Sequence, residues 1–374
     1  MEQDKARSTR FAEILASHPA IRIATEADAN RISHFLNQIH MDMGHIKINV
    51  SRGRDFFELL KKQGHAFLCF LVLDGSEIAG LASAVFRTTY VRNKLEEVGY
   101  LQDLRLKPTL SAALRKEFFS FYSEALRSAH TMPQTHHSQF FYSAILKGNE
   151  AAKKALSRPR FPLKYLHVAS YKAFLFPKPS LPAFASQLAH TAVSTLVNQE
   201  PLSEDEFKEF FEKNAVHSFF AATWEDVQRC LPHSQIVVVR SHGKIMAACL
   251  LTGSESLRSY EVFIPKLRLH SQFNGVYPFA VVVQKMAKPH ETQKWKAALL
   301  RHAFWAAQSK KAAFFGLILA DVNRPLPLFF RLLPQVCIEG ALYRVFHPDH
   351  TQSDSFANGF LRPSDEVSLE MSLL

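Results

Sequence analysis

Apolar positions along this chain switch between a spacing of two and a spacing of three to four, and the switches mark out elements in order. IRIA (21–24) predicts a short strand, and Thr25 with Asp28 three positions on predicts a capped helix start. Ala29, Ile32, Phe35, Leu36 and Ile39 follow at helical spacing, and a second short helix is expected over 55–62. HAFLCFLVL, DGSE and IAGLASAVF predict strand, turn and strand, with Asp74-Gly75 as the hairpin signal. YLQDLRLKP (100–108) predicts a strand stopped by Pro108, and 111–129 a long amphipathic helix capped by Ser111. FFYSAILKGNEAAKKAL (140–156) reads as a buried strand ending near Lys147 and a helix opened at Asn149; HVASYKAFLF (167–176) closes the run as a strand.

The same order then returns. HTAVSTLV (190–197) predicts a strand, SEDEFKEFFEKN (203–214) a helix with Ser203 and Glu206 as a capping box, and WEDVQRC a short helix. QIVVVR and IMAACLL predict a hairpin turning at Gly243. Residues 254–288 show less pattern apart from the strand-like FAVVVQKM; a helix over 292–309, the strand FFGLILADV and the strand ALYRVF complete the series. FFGLILADVNRPLPLFF (314–330) echoes 140–156, with Asn323 standing 174 residues after Asn149. The pattern predicts one unit used twice.

Between the copies, PKPSLP (177–182) places three prolines in six residues, a stiff segment that neither a helix nor a central strand crosses. The expected organisation is a first unit over 1–176, a linker over 177–189, a second unit over 190–350 and a tail over 351–374. With 374 residues, the chain also fits two or three domains at ~150 residues each.

Composition narrows the chemistry. Glycine occurs only 13 times, about half the ~7% usual share, and no two glycines are separated by one residue. GxGxxG dinucleotide sites and P-loops are therefore excluded, and HExxH and GxSxG are absent too. Cys69, Cys230, Cys249 and Cys337 form no CxxC pair. The longest apolar run, Ala66–Leu73, falls far below the ~18 residues of a membrane span, and the charged N-terminus lacks a signal-peptide core. The expectation is a soluble cytoplasmic protein. The net charge of +11 favours polyanionic partners, whether phosphate-rich cofactors or nucleic acid, although no block of five like charges occurs.

The order strand, two helices, hairpin, strand, long helix, strand–helix–strand resembles the GNAT (N-acetyltransferase) superfamily, an α/β (α+β) fold with a mixed, mostly antiparallel sheet flanked by helices. IRIATEADANRISHFLNQI is similar to the superfamily's entry, and FFYSAILKGNEAAKKAL to its fifth strand and fourth helix. The resemblance covers nearly the whole chain as two tandem copies. It implies acetyl-CoA or another acyl-CoA as co-substrate, with pantetheine between the splayed fourth and fifth strands. The backbone of Leu104 and Leu106 would then line the acyl group. Leu110, Ser111, Ala112, Ala113, Leu114 and Arg115 would cradle the pyrophosphate at a helix N-terminus, where unsatisfied N–H groups and the helix dipole favour an anion. Asn149, Ala152 and Asn323 are the corresponding pantetheine-side positions. Thr292–Lys296 would be the second cradle.

The chain departs from that family at informative places. The glycines of the phosphate loop are missing, and Leu114 and Trp295 stand where crowding is expected. The tyrosine that often reprotonates the thiolate is replaced by Leu156 and by Phe330, which cannot donate. At least one copy is expected to be non-catalytic. Acyl transfer to an amine needs a base, an oxyanion donor and a leaving thiolate. Candidate bases are Asp103 and Glu97, with Glu96 beside it, and candidate proton donors are Tyr142 and Tyr122. No metal site is expected: His40 and His45, and the adjacent His136-His137, fall short of the three or four ligands that zinc requires. Arg158, Arg160 and Lys164 form a basic stretch that suits a phosphate or RNA.

Three readings remain open. The first is a tandem N-acyltransferase acting on a small-molecule or peptide amine. The second is a Fem-type transferase using aminoacyl-tRNA, and the third a catalytically degenerate binding or interaction protein.

Overall fold

The computed structural model describes residues 10–348 except 40, 43–46, 54, 92–93, 139, 157–160, 178–201, 216–219, 254–258, 265–268, 309–313 and 320–325. The expected strand 190–197, the linker beyond Pro177, the tail, His40, His45, Arg158, Arg160 and Asn323 lie outside these residues. The first half runs α1 (10–16), β1 (Ile21–Ile23), α2 (Ala29–Asn37), β2 (Met41–Asp42), β3 (Lys47–Ser51) and α3 (Phe56–Gln63). It continues with β4 (Ala66–Asp74), β5 (Glu77–Val91), β6 (Lys94–Leu106), α4 (Ala112–Ser128), β7 (Phe140–Leu146), α5 (Glu150–Leu156) and β8 (Lys164–Pro177). The second half runs α6 (Glu204–Asn214), α7 (Trp224–Cys230), β9 (Ser234–Ser241), β10 (Lys244–Gly253), β11 (Ser259–Ile264), β12 (Leu269–Phe273) and β13 (Gly275–Val283). It ends with α8 (Pro289–Gln308), β14 (Phe314–Leu319), α9 (Leu328–Arg331) and β15 (Val336–Phe346).

These strands form one eleven-stranded sheet in the order β1-β4-β5-β6-β7-β15-β8-β14-β13-β10-β9, with a four-stranded sheet β12-β11-β3-β2 beside it. The halves interlock at the centre. β15, from the end of the chain, lies between β7 and β8 of the first half, antiparallel to both. β8 in turn pairs with β14, from Phe314↔Pro177 to Leu319↔Lys172. The strands β3 and β11, drawn from different halves, pair with each other, and each also pairs with a short neighbour in sequence, β2 and β12.

Helices cover both faces. In the first half α2 and α3 pack over a core that includes Phe35, Phe56, Phe57 and Tyr100, while α4 packs over Phe118, Phe121, Tyr122 and Leu126 on the other side. In the second half α6 and α7 enclose Phe207, Phe211 and Phe279, and α8 encloses Leu299, Phe304 and Phe315. The predicted capping signals act as expected. Ser203 and Glu206 bond reciprocally at the start of α6. At the chain's entry Thr25 N–H donates to Asp28 Oδ2 at 2.9 Å, and Arg22 grips the same carboxylate with two bonds of 2.8 and 2.6 Å. Among the described residues no helix is long and apolar enough to cross a membrane.

Only two contacts in the large sheet are parallel. β6 meets β7 over Val98↔Phe140, Gly99↔Phe141 and Tyr100↔Tyr142, and β13 meets β14 over Gly275↔Phe314 and Val276↔Phe315. Each contact has a glycine beneath an aromatic ring. A Cβ at Gly99 would sit 2.4 Å from the Phe141 ring, and one at Gly275 would sit 2.5 Å from the Phe314 ring.

Two predictions follow from this framework. Gly99→Ala should destabilise the fold by about 1–3 kcal/mol through overpacking. Adding Phe141→Leu should recover part of that loss in urea titrations, and a purely additive double variant would show that the ring contact is irrelevant. The second concerns Asp28, whose carboxyl the Arg22 guanidinium holds below the usual range despite burial. A depressed carboxylate contributes stability above its unfolded pKa and loses it as pH falls through the folded value. Asp28→Asn should therefore cost about 1.5–3 kcal/mol at pH 7. The gap to the parent should narrow below about pH 4, the ordinary carboxylate range.

Candidate functional site

Beyond Tyr100↔Tyr142 the two strands part: β6 continues to Leu106 without β7 as its neighbour, leaving a wedge in the sheet. A bulge lies on the same stretch. The β5–β6 register slips between Leu81↔Arg105 and Ser83↔Gln102, and Asp103 takes a left-handed backbone with φ of 56°. Such a conformation in a non-glycine residue stores about 1–3 kcal/mol of strain and persists only where the surroundings enforce it. The extra residue turns Gln102 and Asp103 toward the α3 face in succession, while Leu101, Leu104 and Leu106 pack on the α4 face.

The groups gathered at the bulge are polar and enclosed. Asp103 Oδ1 pairs with Arg52, and both side chains are under a tenth exposed. Asp103 Oδ2 and Arg52 Nη1 are shielded from solvent without a hydrogen-bond partner, and the Ser83 hydroxyl lies against the Cys69 thiol. Gln63 and Gln102 bond each other through their side chains. Burial lowers the pKa of Arg105, which stands next along the strand, against the opposing pull of Asp103. Burial also pushes the Cys69 thiol up to about 12, so it is an unreactive neighbour rather than a nucleophile.

At the apex of the wedge the rings of Tyr100 and Tyr142 stack at 4.9 Å. Burial raises both phenols above their ordinary range, which keeps them protonated and able to donate. Tyr122 is instead tied to Tyr165 on the α4 side and buried there. Glu97 sits at the opposite end of β6 from Asp103, 3.1 Å from His65. Burial raises its pKa, opposed by His65 and by a hydrogen bond from Thr88. The structure therefore separates the two candidate bases and brings Asp103, not Glu97, to the wedge.

The start of α4 adjoins the wedge. Ser111 Oγ accepts the Leu114 N–H and its carbonyl accepts the Arg115 N–H. The N–H groups of Ala112 and Ala113 have no acceptor within the helix, as first-turn donors never do. Leu110 is buried, and Leu114 packs into the same core, so its side chain does not lie over the helix start as expected. Trp295 likewise packs on the apolar core under α8. Asn149 Oδ1 accepts the Ala152 N–H at 3.1 Å, which occupies that side chain with capping α5. Leu156 and Phe330 are both core residues.

The second half repeats this geometry without its polarity. The β10–β13 register slips at the matching place, and Ala280 takes the left-handed conformation with φ of 51°. Phe279 and Ala280 stand where the first half has Gln102 and Asp103, and both join the apolar core beneath α6 and α7. Sequence reasoning missed Arg52, Gln63 and Tyr100. It also missed a legible bulge signal: apolar Leu101, Leu104 and Leu106 are spaced three and then two, one residue more than strict alternation allows.

No family model matches the chain, and no curated protein does. Solved structures do. An N-myristoyltransferase from Saccharomyces cerevisiae with bound myristoyl-CoA is similar over 88% of this chain and 79% of its own, at 15% identity and a TM-score of 0.55. Another structure of a Saccharomyces cerevisiae N-myristoyltransferase, with inhibitors also bound, covers 87% and 80% at 14% identity and a TM-score of 0.56. A GCN5-related glucosamine N-acetyltransferase region of a fungal multi-domain GH3 β-N-acetylglucosaminidase covers 87% of this chain and 38% of that one, at 11% identity and a TM-score of 0.57. At these identities the likeness concerns fold, and the chain has a GNAT-like fold with a mixed sheet flanked by helices.

Proposed function

We propose that this chain is an N-acyltransferase that moves an acyl group from acyl-CoA to a small-molecule or peptide amine. The reading places the chemistry in the β6–β7 wedge and takes the second half as a non-catalytic copy. The observation that carries it is the coincidence of the wedge, the strained bulge at Asp103 and the open start of α4 within one unit, with a carboxylate at that bulge in the first half only.

In this reading the pantetheine arm lies along the β7-facing edge of Leu101–Leu106, whose backbone groups have lost their strand partner. The pyrophosphate takes the Ala112 and Ala113 N–H groups, with Arg115 adding charge. The amine enters from the α3 face and gives its proton to Asp103 Oδ2, the carboxylate oxygen left over from the Arg52 pair. Its nitrogen bonds to the thioester carbonyl carbon. The oxyanion is held by a backbone N–H near Leu104–Leu106, and collapse breaks the carbon–sulfur bond. The departing thiolate takes a proton from Tyr142 or Tyr100 at the apex. Asn149 and Ala152 then act through the helix they cap rather than by direct contact.

A second reading, a GNAT-like binding protein without turnover, is favoured by the packed Leu156 and Phe330 and by the glycine-free helix start. Calorimetry and thermal shift with acetyl-CoA, longer acyl-CoAs and free CoA decide between them. A ligand at 100 times its Kd should add about 2.7 kcal/mol of stability. Free thiol released in the presence of an amine panel should fall about 100-fold or more in Asp103→Asn, with CoA affinity unchanged. Binding without thiol release selects the second reading, and no binding by any CoA species overturns the first.

A further inference from the structure

Away from the wedge, the fold collects three metal-competent side chains that are far apart in sequence. His65 stands at the entry to β4, Glu97 on the early part of β6, and His136 in the loop before β7; their ligand atoms all lie within 4.8 Å of one another. His65 Nε2 and Glu97 Oε1 are 3.1 Å apart. A zinc ion held at ~2.0–2.1 Å in a tetrahedral site separates its ligand atoms by roughly 3.3 Å, so this pair is already at the spacing two ligands of one ion adopt. Glu97 Oε1 is shielded from solvent, with the His65 ring as its hydrogen-bonding neighbour.

Supporting contacts orient these groups. Thr88, the cross-strand partner of Glu97, donates its hydroxyl to Oε2 and leaves Oε1 turned to the two histidines. The other nitrogen of His65 faces Glu225 of α7 at 4.0 Å, and Arg229 pins that carboxylate at 2.9 Å. At 4.0 Å the Glu225 carboxylate acts on the His65 ring by charge and not through a hydrogen bond. The His65 backbone N–H donates to the Phe86 carbonyl. The His136 ring packs on Phe86 and meets His65 edge to face at 4.9 Å. His136 itself has a left-handed backbone, and its backbone N–H donates to the Pro133 carbonyl, which sets where its side chain leaves the loop.

We propose that His65, Glu97 and His136 form a binding site for a borderline first-row divalent cation, best matched by Zn²⁺, with water completing the coordination. Glu97 and Asp103 are six residues apart on one strand, roughly 20 Å at 3.3 Å per residue, so the site is separate from the wedge. Its occupant fastens the loop before β7 to the start of β4 and to β6. Nothing in this site depends on acyl-CoA.

The test uses the full chain stripped with a chelator and titrated with ZnCl₂ by calorimetry and thermal unfolding. One Zn²⁺ per chain should bind and raise the melting temperature, while Mg²⁺ should do neither. His65→Gln, Glu97→Gln and His136→Asn should each weaken binding beyond the ~10–100-fold typical of outer-shell changes, and Thr88→Val should fall within that range. Asn tolerates the left-handed backbone at position 136, so loss there reports the ring and not the fold. His290→Ala, at an exposed histidine on α8, should change nothing. Co²⁺ in place of Zn²⁺ should give the intense visible bands of a four-coordinate ion. Unchanged Zn²⁺ affinity in His136→Asn, absence of a one-to-one isotherm, or a Co²⁺ spectrum identical to the hydrated ion would each overturn the proposal.

Discussion

Everything at the wedge depends on a parallel strand contact that stops early. β6 has its long ladder with β5, and β7 has its ladder with β15 from Phe141 to Leu146. Each strand is therefore satisfied on its outer side and gains little by following the other. Between them, three residue pairs suffice to hold the apex, and the ring of Phe141 lying over Gly99 closes it tightly. The second half meets the same constraint with β13, β14, Gly275 and Phe314. Backbone groups freed on the inner edges need partners, because buried N–H and C=O groups are rarely left alone. A wedge of this kind is a place where an extended ligand can supply what the missing strand does not.

The two wedges share backbone and differ in chemistry. Both bulges force a non-glycine residue into the left-handed region, at Asp103 and at Ala280. The strain is common to both wedges, whereas the polarity is confined to the first. In the first half the bulge aims Gln102 and Asp103 at Gln63 and Arg52. In the second, the equivalent Phe279 and Ala280 simply add to the core under α6 and α7. A buried ion pair such as Arg52–Asp103 is poor evidence for stability, since desolvation offsets much of its attraction. One oxygen and one nitrogen of the pair, Asp103 Oδ2 and Arg52 Nη1, are left over for a further polar partner.

Much of this fold was legible from periodicity and caps. The hairpins, the long helices α4 and α8, and the capping pairs Thr25–Asp28 and Ser203–Glu206 all follow from local preference. What was hidden depends on distant partners. β3 and β11 exist because they pair with each other across more than half the chain. Arg52 reaches Asp103 only because the segment before α3 folds over the bulge, and no spacing in the sequence encodes that. Asp103 and Glu97 were equally plausible in sequence, and the strand carries them to opposite ends. The histidines illustrate the same limit: His136 has His65 and Glu97 as neighbours only through the fold, with no spacing in the sequence to announce it.

The interlocked centre makes the two halves depend on each other. β15 gives β7 and β8 their shared neighbour, and β8 gives β14 one of its two. Remove the second half and β7 and β8 are left as open edges, exposing unpaired backbone and the apolar faces that now pack beneath them. β7 would also lose the ladder that holds it away from β6 and keeps the wedge open. The second half therefore shapes the wedge of the first half through the sheet.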